Sequence, residues 1–317
     1  MRFLVACAAA LAAMSNAAFA QTLAQTPDVT APPRVEPARG QTQADLLPAV
    51  IEHSRRVATL ANGRLGGEGG DFLRALGQQS QFVLIGEEHG NARIAEFVGA
   101  YWRDLSDAGF RYAAIEVDPT TAAALERELR AGGVAAWTRF VDARGGAVAA
   151  PFFTWAPEAA LAETIVTTSS ARDEPVLWGL DQTFIGAAPW QLREIAGGAR
   201  DPEARVMATA LAAQAAEANT LNWFGQTDGA PFVALRGELD GRSDRHFAMM
   251  VDDMIVSQRI YRPFSGGGGE PWLANLEREN QMRRLFLERY RAAERADRAP
   301  PRVMLKFGGN HMFRGAS

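Results

Sequence analysis

Residues 82–97 read "FVLIGEEHGNARIAEF", and this stretch decides the fold of the chain. Its first half is apolar without polar alternation, as in a strand of a parallel sheet, and its second half has the apolar spacing of a helix. Between the two halves lie Glu87, Glu88 and His89, in a chain that has only four histidines. The stretch therefore predicts the start of a β-α-β unit with ionisable side chains where its strand ends.

Four apolar runs separated by helical patterns predict the strands of a buried parallel sheet. They are "QFVLIG" (81–86), "RYAAIEV" (111–117), "PVLWGLD" (175–181) and "RVMLKFG" (302–308). A helix is expected between the first two, with Gly109 at its end, and another over 271–296 ahead of the last strand. The predicted class is α/β, a mainly parallel sheet flanked by helices. Two long intervals, 131–170 and 197–270, are expected to be helical or loop insertions that form a cap; the alternative is extra helices that enlarge the core.

The N-terminus predicts export. Residues 1–20 have an Arg, an apolar run and a small-x-small ending, which is typical of a signal peptide cleaved after Ala20. Acylation at Cys7 is the alternative. Residues 21–43, rich in Gln, Thr and Pro, predict a flexible linker, and 44–317 a single α/β domain. Because Cys7 is the only cysteine, the mature chain has no disulfide, and a periplasmic or secreted location is expected.

Composition excludes several classes of function. The formal net charge is -4 and no basic stripe is present, which argues against a nucleic-acid partner. After residue 20 no run approaches the ~20 apolar residues that span a bilayer, so no stable membrane insertion of the mature chain is expected. The chain also lacks the G-x-S-x-G elbow, H-E-x-x-H, the P-loop and G-x-G-x-x-G after a strand.

Charged or hydrogen-bonding side chains lie at or near the end of every predicted strand. These residues are Glu87 and His89 after the first strand, Glu116 in the second, Asp181 at the end of the third, and Lys306, Asn310, His311 and Arg314 in and after the fourth. Because the carboxyl ends of parallel strands share one edge, these groups are expected to meet in one cleft. Single members have simpler explanations: a lone His is often structural, Asp118 is expected to cap a helix, and Lys306, the only lysine, to pair with Glu116 or Asp181.

These residues resemble the superfamily of erythromycin esterases, ChaN-like haem-binding proteins and Tiki proteases. The likeness lies in "VLIGEEHG", "AAIEV", "RENQM" and "KFGGNHMFRG". The resemblance implies an α/β sheet with a polar cleft whose active site contains Glu87, His89, Glu116 and His311, with Arg278 of "RENQM" beside them. The two G-x-x-H motifs are closest to the ChaN and Tiki branches, which imply haem binding and metal-assisted peptide hydrolysis. The family continues beyond its last motif, so a C-terminal truncation at Ser317 is expected.

The leading prediction is an exported hydrolase that cleaves an ester or amide in a small molecule or peptide. His89 would deprotonate a water held by Glu116, and His311 with Arg278 or Lys306 would stabilise the oxyanion. In a metal-assisted form, a divalent ion, Zn or Mn, would be bound by His89, His311 and one or two of the carboxylates Glu87, Glu116 and Asp181. The alternatives are a haem or iron-uptake protein that uses His89, His311 or a tyrosine as an axial ligand, and an inactive module with a structural ion-pair network.

Overall fold

The computed structural model describes residues 48, 51–52, 54–171, 174–218, 222–239 and 242–311. The predicted signal peptide, the linker and Arg314 lie outside the described residues. The chain divides into two compact units, one of residues 1–59 and 66–76 and one of residues 60–65 and 77–317. The second unit contains the whole parallel sheet and every candidate site residue described below. The prediction of one domain over 44–317 stays a prediction.

The structure contains the four predicted strands and, before them in the part of the chain that it describes, three elements that were not predicted. A two-stranded sheet, β1 (Thr59–Ala61) and β2 (Arg64–Gly66), precedes helix α1 (Gly67–Gln79). The following strands and helices are β3 (Phe82–Glu87), α2 (Ala92–Asp107), β4 (Tyr112–Ile115), α3 (Pro119–Asp142), α4 (Ala156–Thr168), β5 (Leu177–Gly179), α5 (Ala188–Gly198), α6 (Pro202–Ala218), α7 (Trp223–Gln226), α8 (Ala230–Glu238), α9 (Arg245–Tyr261), α10 (Pro271–Asp297) and β6 (Val303–Gly308). Short 3-10 turns lie at Gly146–Val148, Arg262–Ser265 and Gly309–His311.

The four predicted strands form one sheet in the order β3-β6-β4-β5, and all of its pairings are parallel. The α/β class is therefore confirmed. Strand β6, which comes last of the four along the chain, lies between β3 and β4, with Lys306 in register with Ile85 on one side and Ile115 on the other. The expectation that all four strands are buried is wrong for β3, which is an edge strand and exposes Leu84.

Helix α2 shows how the local sequence determines an element. Asn91 caps its N-terminus by accepting a hydrogen bond from Arg93 N, and its apolar face is buried. The helix ends at Asp107, and Gly109 then adopts a φ of +91°, which a side chain would disfavour. Asp118 likewise caps α3, as predicted.

Both long intervals are largely helical. The helices of 197–270 have an apolar cluster of their own, formed with α5 around Phe224, Phe232 and Met254. Within the interval 131–170, a short segment, 149–155, connects the 3-10 turn at Gly146–Val148 to α4. Among the described residues, no helix is long and apolar enough to cross a membrane.

Candidate active site

The structure brings the predicted polar residues together where the strands of the parallel sheet end. Glu87 ends β3, Glu116 directly follows β4, and His311 follows β6 in a 3-10 turn. Helix α10 contributes Arg278, and Asp181 follows β5. Contacts link all of these side chains into one network.

His89 is oriented by a buried carboxylate. Its Nδ1 lies 3.1 Å from Glu87 Oε1, and its Nε2 lies 3.6 Å from Glu116 Oε2. The imidazole stacks on the ring of Phe152, with centroids 3.8 Å apart and planes 12° from parallel. When Nδ1–H donates to Glu87, Nε2 carries the free lone pair, so the histidine has the tautomer that a general base needs.

Lys306 supports Glu87 from inside the sheet. Its Nζ lies 2.6 Å from Glu87 Oε1 and 2.9 Å from Glu158 Oε2, and its side chain is only 3% exposed. The prediction that Lys306 pairs with Glu116 or Asp181 is therefore wrong, because its position between β3 and β4 directs it to Glu87 and to α4. Burial tends to raise the pKa of Glu87, but hydrogen bonds from His89 and Lys306 outweigh this effect and lower it.

Glu116 is the central acceptor of the site. Gly308 N donates to its Oε2 at 2.6 Å, Arg278 Nη2 donates to its Oε1 at 2.9 Å, and His311 Nε2 lies 3.4 Å from Oε1. Burial alone would raise the pKa of Glu116, but the hydrogen bonds from His311 and Gly308 and the charge of Arg278 lower it to about 2. Glu116 is therefore ionised at any physiological pH.

Glycine at position 308 is a steric requirement of the site. A Cβ atom at Gly308 would lie 2.8 Å from His89 Nε2 and 3.3 Å from Glu116 Oε2. A side chain here would displace the imidazole from the carboxylate. The first glycine of the "GGNH" motif thus lets the β6 backbone donate its N–H to Glu116.

Arg278 connects the two central carboxylates. Its Nε donates to Asp181 Oδ1 at 2.9 Å and its Nη2 to Asp181 Oδ2 at 2.6 Å, while the same Nη2 also binds Glu116. The fork of the guanidinium suits this bidentate geometry. Burial would lower the pKa of Arg278, but the hydrogen bonds with Asp181 outweigh this effect and raise the pKa above its ordinary value. The guanidinium of Arg278 is therefore always charged.

His311 lies between two carboxylates. Its Nδ1 is 2.7 Å from Glu279 Oε1, and its Nε2 faces Glu116. The hydrogen bond with Glu116 raises the pKa of His311 above its ordinary value, against the opposing effects of burial and Arg278. His311 is thus held nearer to the imidazolium form, whereas His89 contacts one carboxylate closely and a hydrocarbon ring.

Three residues of the site were not predicted from the sequence. Glu158 and Glu279 complete the pairings of Lys306 and His311, and Phe152 covers His89. Glu279 directly follows Arg278 in the "RENQM" motif, so the motif itself contained that signal. Of the residues named beside the predicted site, Glu88 and Asn310 are exposed.

The predicted metal ligands lie close together, but their pairings do not fit a divalent ion well. Asp181 binds Arg278 with both of its oxygens, and Glu87 Oε1 is shared by Lys306 and His89. An ion would have to compete with two permanent or buried cations for these oxygens. Within the described part of the chain, no three His, Asp or Glu side chains are arranged to hold a metal. The Zn or Mn prediction stays a prediction.

Comparison with known proteins adds nothing to this description. No protein-family model, no curated protein and no solved structure matches the chain. The resemblance to the erythromycin esterase, ChaN and Tiki superfamily therefore rests on the four quoted motifs alone and stays a prediction.

Proposed function

We propose that the chain is an exported hydrolase that cleaves an ester or amide with a water activated by His89. The observation that carries the proposal is the pair of histidines on either side of Glu116: His89 Nε2 at 3.6 Å from one oxygen and His311 Nε2 at 3.4 Å from the other. The two imidazoles have different surroundings: His311 lies between Glu116 and Glu279, whereas His89 contacts Glu87 and stacks on the ring of Phe152.

The first chemical step uses the Glu87–His89 pair. The water oxygen attacks the substrate carbonyl carbon while His89 Nε2 accepts one water proton, and Glu87 stabilises the imidazolium that forms through its contact with Nδ1. Glu116 Oε2 accepts a hydrogen bond from the attacking water and so orients it. Lys306 keeps Glu87 ionised for this role.

The second step uses the cationic side of the cleft. As the carbonyl double bond opens, negative charge develops on its oxygen. His311 Nε2 and Arg278 Nη2, which both face Glu116 Oε1, are the donors proposed to turn to this oxygen and stabilise it. When the intermediate collapses, the bond to the alcohol or amine breaks, and His89 returns its proton to that leaving group. The products are a carboxylic acid and an alcohol or amine, and the enzyme is regenerated.

The test is hydrolysis of p-nitrophenyl esters and peptide p-nitroanilides by the purified protein and by three histidine variants. We expect His89→Gln and His311→Gln each to lower kcat/KM at least about 100-fold, because each removes a proton-transfer or oxyanion group. His246→Gln is the matched control, since His246 is exposed and has no ring contact with His89 or His311 among the described residues. Full activity in a folded His89→Gln protein would exclude the proposed base.

The metal or haem that the purified protein contains distinguishes the metal-assisted form from haem binding. Elemental mass spectrometry and a visible spectrum of the protein, compared with a His89→Ala/His311→Ala double variant, separate the possibilities. Stoichiometric Zn or Mn that is lost in the variant would support metal assistance. A Soret band on haem titration that is lost in His89→Ala would replace hydrolysis with haem binding as the preferred function.

A further inference from the structure

The segment 149–155 has a fixed path beside His89. Two buried tryptophans hold its backbone: Trp190 Nε1 donates to Ala149 O at 2.8 Å, and Trp137 Nε1 donates to Phe153 O at 2.7 Å. The Phe153 side chain is itself buried. Because indole N–H groups in a core need acceptors, these two bonds tie the segment to the helices beneath it.

Phe152, within this segment, has a backbone conformation that large residues rarely adopt. Its φ is +60°, in the left-handed region, which costs on the order of 1 kcal/mol or more for a residue that is not glycine. Phe153 packs into the core while Phe152 stacks on His89. The strain is therefore associated with a contact to the proposed base.

Trp155 extends this aromatic surface into solvent. Its ring meets the Phe152 ring edge-on, with centroids 5.9 Å apart, and the residue is 43% exposed. Gly90, immediately after His89, faces the same indole: a Cβ there would lie 3.6 Å from two Trp155 ring atoms, and its φ of +85° also favours glycine. The turn that carries the base thus lies directly against an exposed aromatic ring.

We propose that Phe152 and Trp155 form an aromatic wall of the substrate cleft, and that the substrate carries a flat apolar group, such as an aromatic ring, beside the scissile carbonyl. The inference rests on the proposed hydrolase function. The site has N–H donors in Arg278 and His311 and aromatic rings beside His89, so a carbonyl and a ring would each meet a suitable surface. Phe152 is in addition a positioning residue, because its stacking fixes the plane of the imidazole.

The first experiment compares p-nitrophenyl phenylacetate with p-nitrophenyl acetate. We expect the wild type to prefer the phenylacetyl ester. Trp155→Ala should lower that preference about tenfold, mainly by raising KM, because the variant loses the buried contact between two aromatic rings. Trp272→Ala is the control, because Trp272 is also exposed and makes no ring contact with Phe152 in the described part of the chain. Equal activity on both esters in the wild type would overturn the inference and leave the hydrolase proposal intact.

A second variant tests positioning. Phe152→Asn removes the ring but keeps a residue that adopts the left-handed backbone readily, so the segment retains its path. We expect kcat to fall about tenfold on both esters, because the orientation of His89 is loosened for every substrate. An unchanged kcat would refute the positioning role.

Binding without reaction separates the two proposals. Saturation-transfer NMR with phenylacetone, a ketone that has no leaving group, is expected to show transfer to the ring protons in the wild type and in His89→Gln, and none in Trp155→Ala; acetone serves as the probe without a ring. Ring transfer without hydrolysis of any ester would support the aromatic wall and reject the hydrolase. No transfer in the wild type would reject the aromatic wall.

Discussion

Replacing Lys306 by methionine tests whether the candidate site depends on a buried charge triad. The Lys306 ammonium lies 2.6 Å from Glu87 Oε1 and 2.9 Å from Glu158 Oε2, and the Lys306, Glu87 and Glu158 side chains are at most 4% exposed. Methionine fills a similar volume but leaves two carboxylates without their cation. Removing one member of a buried pair costs about 3–5 kcal/mol, because the remaining charge is left unpaired.

The pH dependence of this loss follows from the two carboxylates. Burial already raises the pKa of Glu158, although Lys306 opposes it, so without Lys306 this carboxyl is expected to protonate more readily. An acid whose pKa is raised in the folded state destabilises that state as pH rises through the interval between its unfolded and folded pKa values. We therefore expect Lys306→Met to lose about 4 kcal/mol at pH 8 and less at pH 5.

The measurement is thermal unfolding at pH 5 and pH 8, followed by circular dichroism. A loss of about 4 kcal/mol corresponds to a fall in Tm of roughly 10 °C for a chain of this size. Adding Glu158→Gln should recover part of the loss, because it removes one unpaired carboxylate. Arg291→Met is the control, since Arg291 is exposed and its replacement is expected to change stability by under about 0.5 kcal/mol. A fall of under about 3 °C at pH 8, or no recovery in the double variant, would refute this reasoning.

Three further substitutions are predicted from single contacts. Burial raises the pKa of Asp253 from 3.8 to about 7. Asp253→Asn keeps an oxygen that can accept the hydrogen bond from Gln281. It should therefore stabilise the protein by about 2–4 kcal/mol at pH 8 and leave its stability unchanged at pH 4, as measured by calorimetry. Equal changes at both pH values would contradict this expectation. Glu116→Gln should lower ester hydrolysis at least about 100-fold and stability by about 1–3 kcal/mol in urea titration. Arg302→Met removes hydrogen bonds to the Ser80 carbonyl and its neighbours, so a loss of about 2–3 kcal/mol is expected in the same titration, and no loss would refute the role of these bonds.

The sequence predicted the elements well because each has a local cause. Apolar runs without polar alternation marked all four strands, and the helix over 271–296 was visible in its periodicity; it spans Pro271–Asp297. The site residues were predictable for a topological reason, since parallel strands bring their carboxyl ends to one edge. Strands and helices with a local sequence signal, and the meeting of side chains at the ends of parallel strands, can therefore be derived from sequence alone.

Strand order was not predictable in this way. The four runs have similar apolar character, so nothing in them shows that β6 inserts between β3 and β4. The order of the strands depends on long-range packing. It is reflected in their burial, since β6 is nearly fully buried and β3 exposes Leu84. A run of apolar residues indicates that a strand belongs to a sheet, without indicating its place in it.

The sequence indicates that Lys306 needs a buried carboxylate partner, but it does not show that this partner is Glu158. A lysine in an apolar strand cannot remain charged in a core without a carboxylate beside it. The only lysine of this chain, Lys306, lies in the central strand, so a buried partner was required. That partner lies 148 positions away on α4, where a single Glu in a helix has no distinctive signal. Such a rule establishes that a partner exists, but only the fold identifies it. Here the fold places Glu158 against Lys306, which in turn contacts Glu87, the residue that orients His89.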